Sequence, residues 1–189
     1  MKRIMKKPYN MVLLLVLFLA GVFGGYLVFM KVFPQQMSPE DVDESLIVQE
    51  DFFSLRMYYP VNDRLVMEER KRPRRTAQLA IAEAAVEEFL KGPGSGVMSS
   101  IPGDSRLLGV YKDTDQILYV DLSDEFRRNF QGDVYTEFFL LKGLYESLIS
   151  NVPDIQDVKV LIEGKEIETL GGHLYLLYPL KDIVSAELD

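Results

Sequence analysis

The sequence predicts an α+β domain in which two helices pack on one face of a largely antiparallel sheet. Three observations predict it. Residues 76–91 and 133–152 carry apolar side chains at helical spacing, residues 107–122 read as strand, turn and strand, and residues 157–178 read as a closing hairpin around glycine turns.

Ahead of that domain, residues 8–30 carry no charge and from Met11 are Leu, Val, Phe, Ala and Gly almost throughout. A stretch of this length crosses a bilayer core as a helix. The thirteen Leu, Val and Phe residues between Val12 and Phe29 favour insertion by roughly 4–8 kcal/mol. Lys2, Arg3, Lys6 and Lys7 stand before it, so the positive-inside bias leaves residues 1–10 in the cytoplasm and puts all that follows the 11–31 anchor outside. Membrane contact then runs over residues 11–30, with Met11 and Met30 at its ends. A cleaved signal peptide, with Ala20, Gly21, Gly24 and Gly25 as cleavage neighbours, usually has a shorter apolar region of about 7–15 residues. The expectation is therefore an uncleaved single-pass anchor in the inner, cytoplasmic membrane.

Residues 32–50 contain Pro34, Pro39 and the acidic Glu40, Asp41, Asp43 and Glu44, with little to bury, and read as a tether. The domain proper is expected over 51–180. Aromatic-rich residues 52–59 form a first strand closed by a turn at Asn62 and Asp63, and Leu65, Val66 and Met67 form a short returning strand. Arg70, Lys71, Arg72, Arg74 and Arg75 follow, five cations around Pro73. They read either as a patch for an acidic partner or anionic wall polymer, or as a solvated connection into the next helix.

In the helix at 76–91, Leu79, Ala82, Val86 and Phe89 share a face; Thr76 is placed to cap its start, and Gly92 and Pro93 to stop it. The hairpin at 107–122 turns through Asp113, Thr114 and Asp115, and its second strand directs Leu118, Val120 and Leu122 to one face. The helix at 133–152 repeats Val134, Phe138, Leu141, Tyr145, Leu148 and Val152 at steps of four and three. Gly143 interrupts it at a cost of roughly 1 kcal/mol in propensity, which marks a close approach to a strand. Val158, Val160 and Ile162 alternate in the next strand, a last strand is expected over 174–178, and 181–189 reads as a solvated tail.

Composition narrows the chemistry. There is no cysteine, which removes thiol catalysis, cysteine-ligated zinc and lipidation of a cysteine. His173 is the single histidine, so any catalytic triad or histidine metal site must be built on it; a turn hydrogen bond is the expected role. Asp113, Asp115, Asp121, Asp124 and Glu125 lack calcium-loop spacing and suit turns and strand ends. Without the four N-terminal cations the chain has 17 Lys and Arg against 29 Asp and Glu, a formal charge of −12. That balance disfavours nucleic acid as a partner.

One ordered series of short signals remains: Leu90-Lys91-Gly92-Pro93, Ile101-Pro102, Leu107-Leu108-Gly109-Val110, Val120-Asp121-Leu122-Ser123 with Phe126, Glu163-Gly164-Lys165 and Gly171-Gly172-His173. In this order and spacing they closely resemble the GerMN domain, the sporulation and spore germination domain family. The resemblance implies a fold similar to the ring-building motifs of envelope complexes, no enzymatic activity, no cofactor, and a role in assembling or supporting envelope machinery. Better-known members are commonly lipoproteins anchored through cysteine, and some carry two tandem domains; this chain has no cysteine and one such domain. Two functions follow as expectations. The first is a non-catalytic, membrane-anchored scaffold that binds envelope proteins and self-associates weakly. The second is a cell-wall polymer module presenting Tyr58, Tyr59, Tyr111 and the basic run. A hydrolase would need a nucleophile–base pair, and none is legible.

Overall fold

The computed structural model describes residues 8–32, 51–94 and 96–186 of the 189. Two units result, 1–49 and 50–189. The stretch read as a tether lies outside the described residues but for Val32, as do residues 1–7 of the basic N-terminus. In the first unit, helix α1 spans Pro8–Val32. Its segment Leu13–Lys31 has a mean hydropathy of 2.5 and exposes every side chain, so it is long and apolar enough to cross a membrane.

The second unit is α+β, as expected, with its strands divided between two sheets. β1 (Phe52–Pro60) and β2 (Leu65–Pro73) form an antiparallel pair. Asn62 and Asp63 turn the chain with φ of 47° and 56°, the doubly left-handed turn that suits a two-residue hairpin. Leu55, Met57 and Tyr59 are fully buried, every second residue of β1. β2 is nine residues long, not the three expected. Residues 68–72 are charged and carry no apolar signal, yet each pairs with β1: Glu68 opposite Met57, Arg70 opposite Leu55, Arg72 opposite Phe53.

Helix α2 (Gln78–Leu90) buries Ala82, Ala85, Val86 and Phe89. Ala77 occupies its N-cap without a side-chain bond, so Thr76 does not cap it; the Gln78 side chain instead donates to Pro153 O. Gly92, at φ 76°, ends the helix as expected.

The second sheet orders β3 (Leu107–Lys112), β4 (Ile117–Leu122) and β5 (Asp157–Ile162); β3 runs antiparallel to β4, and β5 parallel to it. A short helix α3 (Glu125–Arg128), not foreseen, buries Phe126. Helix α4 (Val134–Ile149) is capped by Asp133, which accepts from Thr136 N at 3.0 Å. The expected close approach is real: a Cβ on Gly143 would stand 2.6 Å from Tyr58 O. α4 and the turn that follows it then secure the outer edge of β1, with Ser147 Oγ accepting from Tyr58 N and Asn151, just past the helix, bonding both N and O of Arg56. The core lies between α2, α4 and the two sheets.

The C-terminal part departs from expectation twice. Residues 174–178 form no strand; Leu176 N donates to Glu168 O at 2.7 Å, and buried Lys159 donates to Leu177 O. The stretch read as a solvated tail opens with helix α5 (Leu180–Ser185), which buries Leu180 and Val184. Asp157 Oδ1 accepts from Lys181 N at 2.9 Å and holds that helix start against β5.

Candidate interaction surface

Strand β2 decides where the basic run points. Alternation turns Arg70 and Arg72 toward the side on which Leu55 is buried, and both are half-buried there. Glu88, on the last turn of α2 and 4% exposed, meets them. Its carboxylate accepts from Arg72 and from Lys91 Nζ at 3.1 Å, and Arg70 Nε lies 3.7 Å away. Arg70 also pairs with Glu68 at 2.6 Å and lies over the Tyr59 ring, 5.7 Å from its centroid. Burial pushes the Tyr59 hydroxyl pKa up, an effect partly offset by the Arg70 guanidinium. Arg74 pairs with Asp51 at 2.6 Å, and Arg75 stands 4.0 Å from Glu83. Both are exposed, as is Lys71, which alone of the five makes no ion pair among the described residues.

A second carboxylate explains the Gly171-Gly172-His173 signal. Glu137, in the first turn of α4, is completely buried. It accepts from Leu170 N at 3.1 Å and His173 N at 3.1 Å, and lies 2.9 Å from His173 Nδ1. A Cβ on Gly171 would strike the Phe130 ring at 2.3 Å, so the glycine lets the loop close down on α4. His173 therefore makes loop-anchoring hydrogen bonds, the role expected of it. Glu137 was not singled out from sequence; its one signal there is an acid in a helix first turn.

The other motif polar groups are engaged likewise. Asp121 Oδ1 accepts from Gly164 N at 2.7 Å, tying the end of β4 to the Glu163-Gly164 turn. Buried Ser123 accepts from Arg106 N at 3.1 Å. Asp113 Oδ1 accepts from the N–H groups of Asp115 and Ile117, both at 2.9 Å, and shapes the β3–β4 turn. No group of three or more His, Cys, Asp or Glu able to hold a metal ion occurs among the described residues.

The aromatic part of the expected polymer-binding surface does not assemble. Tyr59 is fully buried and stacked on Phe89, their ring centroids 6.1 Å apart, while Tyr111 is exposed on β3, in the other sheet. Tyr175 and Tyr178, which sequence reasoning passed over as strand residues, are exposed with ring centroids 6.0 Å apart. Two shallow depressions of about 430 and 420 Å³ adjoin at Ser105 and Arg106. Neither is lined by a histidine.

Together these features define a small two-sheet α+β domain in a chain that also carries an apolar helix, its motif side chains spent on fastening loops. The sequence model of the Germane family, described as sporulation and spore germination, matches residues 56–168, more than half of the chain. The chain belongs to this family. Among solved structures it is similar to a candidate lipoprotein from Clostridium perfringens, at 19% identity and a TM-score of 0.50 over 68% of this chain and 86% of that one. It is also similar to the tandem GerMN domains of the sporulation protein GerM from Bacillus subtilis, at 18% identity and a TM-score of 0.51. That match covers 70% of this chain and 48% of the tandem protein, so the chain spans about half its length. No curated protein matches.

Proposed function

We propose that this chain is a non-catalytic, membrane-anchored scaffold of the cell envelope, with α1 as a single-pass anchor and residues 50–189 outside the cytoplasm, where they bind other envelope proteins. The observation that carries this reading is the use made of the motif residues. Asp121, Ser123, Glu137, Gly171 and His173 hold loops in place, and the His173 imidazole faces the Glu137 carboxylate. What is left at the surface is recognition chemistry: the exposed cations Lys71, Arg74 and Arg75 beside the engaged Arg70 and Arg72. An acidic protein surface is the partner these cations suit, and rim charges of this kind govern encounter more than residence.

The wall-polymer reading keeps one observation in its favour, the exposed Tyr175–Tyr178 pair, since flat rings stack on sugar faces. Retention of the purified full chain on solubilised membrane protein and on isolated wall material separates the two. The scaffold reading expects retention on membrane protein, reduced about tenfold when Lys71, Arg74 and Arg75 are all changed to Glu. Retention on wall material alone, lost in Tyr178→Ala, overturns it. For topology, a reporter active only outside the cytoplasm and fused after Asp189 is expected to give signal from the membrane fraction.

A further inference from the structure

The two edges of the β1–β2 sheet are treated differently. The turn bond from Val61 N to Arg64 O and the bond from Arg74 N to Asp51 O fix which residues of the pair face each other through hydrogen bonds. Odd-numbered residues of β1 then bond β2, and even-numbered ones point outward. Those outward groups are covered: Tyr58 N by Ser147, and Arg56 N and O by Asn151. On β2 the outward residues are Leu65, Met67, Glu69, Lys71 and Pro73. No strand lies beside them among the described residues, and the N–H groups of Met67, Glu69 and Lys71 have no partner there. A nine-residue strand with a free edge is a template for another strand.

The charge order on that edge selects the other strand. Residues 68–72 read Glu, Glu, Arg, Lys, Arg. Reversed about Arg70, as in antiparallel pairing with an identical strand, acid falls opposite base at each flanking position: Glu69 against Lys71 and Glu68 against Arg72, each twice by symmetry. A register centred on Glu69 sets Glu69 against Glu69, and one centred on Lys71 sets Lys71 against Lys71. Only the register centred on Arg70 makes Glu69 and Lys71 a hydrogen-bonding pair of opposite charge. It retains one like-charge pair, Arg70 against Arg70, whose guanidinium groups already sit on Glu68 and beside Glu88.

We propose that β2 is a homodimerisation edge: two copies join antiparallel through residues 67–73, centred on Arg70, into a continuous sheet ordered β1-β2-β2-β1. The contact is isologous and closes at two copies, unlike a head-to-tail contact. Pro73 has no N–H, which ends the pairing at that point. The inference does not rest on the partner-binding reading above and shares only Lys71 with it: in the dimer Lys71 faces Glu69 of the second copy, and Arg74 and Arg75 lie beyond the paired stretch.

The absence of cysteine gives a clean test. Full-length Glu69→Cys and Lys71→Cys chains are mixed in lipid vesicles and oxidised. From equal amounts of the two chains, the expected product is the mixed disulfide dimer well beyond the roughly twofold excess over each self-dimer that random pairing gives, since cross-strand partners come within disulfide reach and 69–69 or 71–71 pairs do not. In parallel, Glu69→Lys and Lys71→Glu are each expected to lower the dimer association constant about tenfold, and the double swap to restore it. A self, mixed and self ratio of about 1:2:1, or one poorer in the mixed dimer, overturns the proposal. So does crosslinking no greater than that of an exposed control, Met98→Cys, or a double swap as weak as the single variants.

Discussion

Two buried glutamates, one on α2 and one on α4, face the same electrostatic problem in opposite surroundings. Glu88 lies on the last turn of α2, where the helix dipole is unfavourable to a negative charge, and Arg72, Lys91 and Arg70 surround it. Glu137 lies in the first turn of α4, where the dipole is favourable, and two backbone N–H groups and one imidazole suffice. The difference lies in what can relax. The cations around Glu88 have side chains 24–60% exposed and return to water easily if the carboxylate is lost. The amides of Leu170 and His173 belong to a loop pressed onto α4 and cannot leave without opening it. One carboxylate neutralises a helix end; the other defines a loop.

Removing Glu137 is the strongest way to test that contrast. Glu137→Ala strands three buried or half-buried donors and is expected to cost about 3–5 kcal/mol in urea unfolding. Amide exchange should accelerate at residues 170–173 before the rest of the domain, and an unchanged exchange pattern would refute the loop-defining role. Glu88→Ala is expected to cost about 2 kcal/mol at 0.1 M salt, after allowance for the exposure of its cations. At 1 M salt, where screening acts within about 3 Å, the Glu88 effect should shrink and the Glu137 effect should hold. The reverse result breaks the comparison.

His173→Gln sharpens it from the other side. One of three bonds to Glu137 is lost while both amides stay, so the expected cost is about 1 kcal/mol with the biological role intact. Loss of that role with an unchanged thermal melt would give His173 a part beyond loop anchoring. The smallest effect belongs to Asp133. Bonds from Thr136 N and its hydroxyl hold the Asp133 carboxyl pKa below its usual value. A lowered folded-state pKa adds stability that is present above the unfolded value and lost as pH falls through the folded one. The acid limb of a pH–stability curve should therefore flatten in Asp133→Ala, by less than either glutamate changes the neutral plateau.

The parts of the fold legible in the sequence are those whose signals are local. The Asn62-Asp63 turn, the Gly92 stop, the Asp133 cap and the α4 stripe each lie within a few residues, and Gly143 announced a close approach by costing helix propensity. From sequence, charged strand β2 reads as mostly loop, because apolar alternation is the strand signal and residues 68–72 have none. The α5 region reads as tail for a related reason: six residues are too few for a periodic pattern, and Leu180 and Val184 are recognisable as core only once Asp157 and β5 are beside them.

By itself, then, the sequence determined the α+β class, the two long helices, the apolar N-terminal helix and the family, since hydrophobic spacing, caps, turns and motif order are properties of short stretches of chain. Only the tertiary structure decided that the basic run is strand, that Arg70 and Arg72 turn inward to Glu88, and that Glu137 holds a glycine-histidine loop 36 residues away. A buried charge is settled by whichever donors folding brings within about 3 Å, and no spacing along the chain encodes that distance.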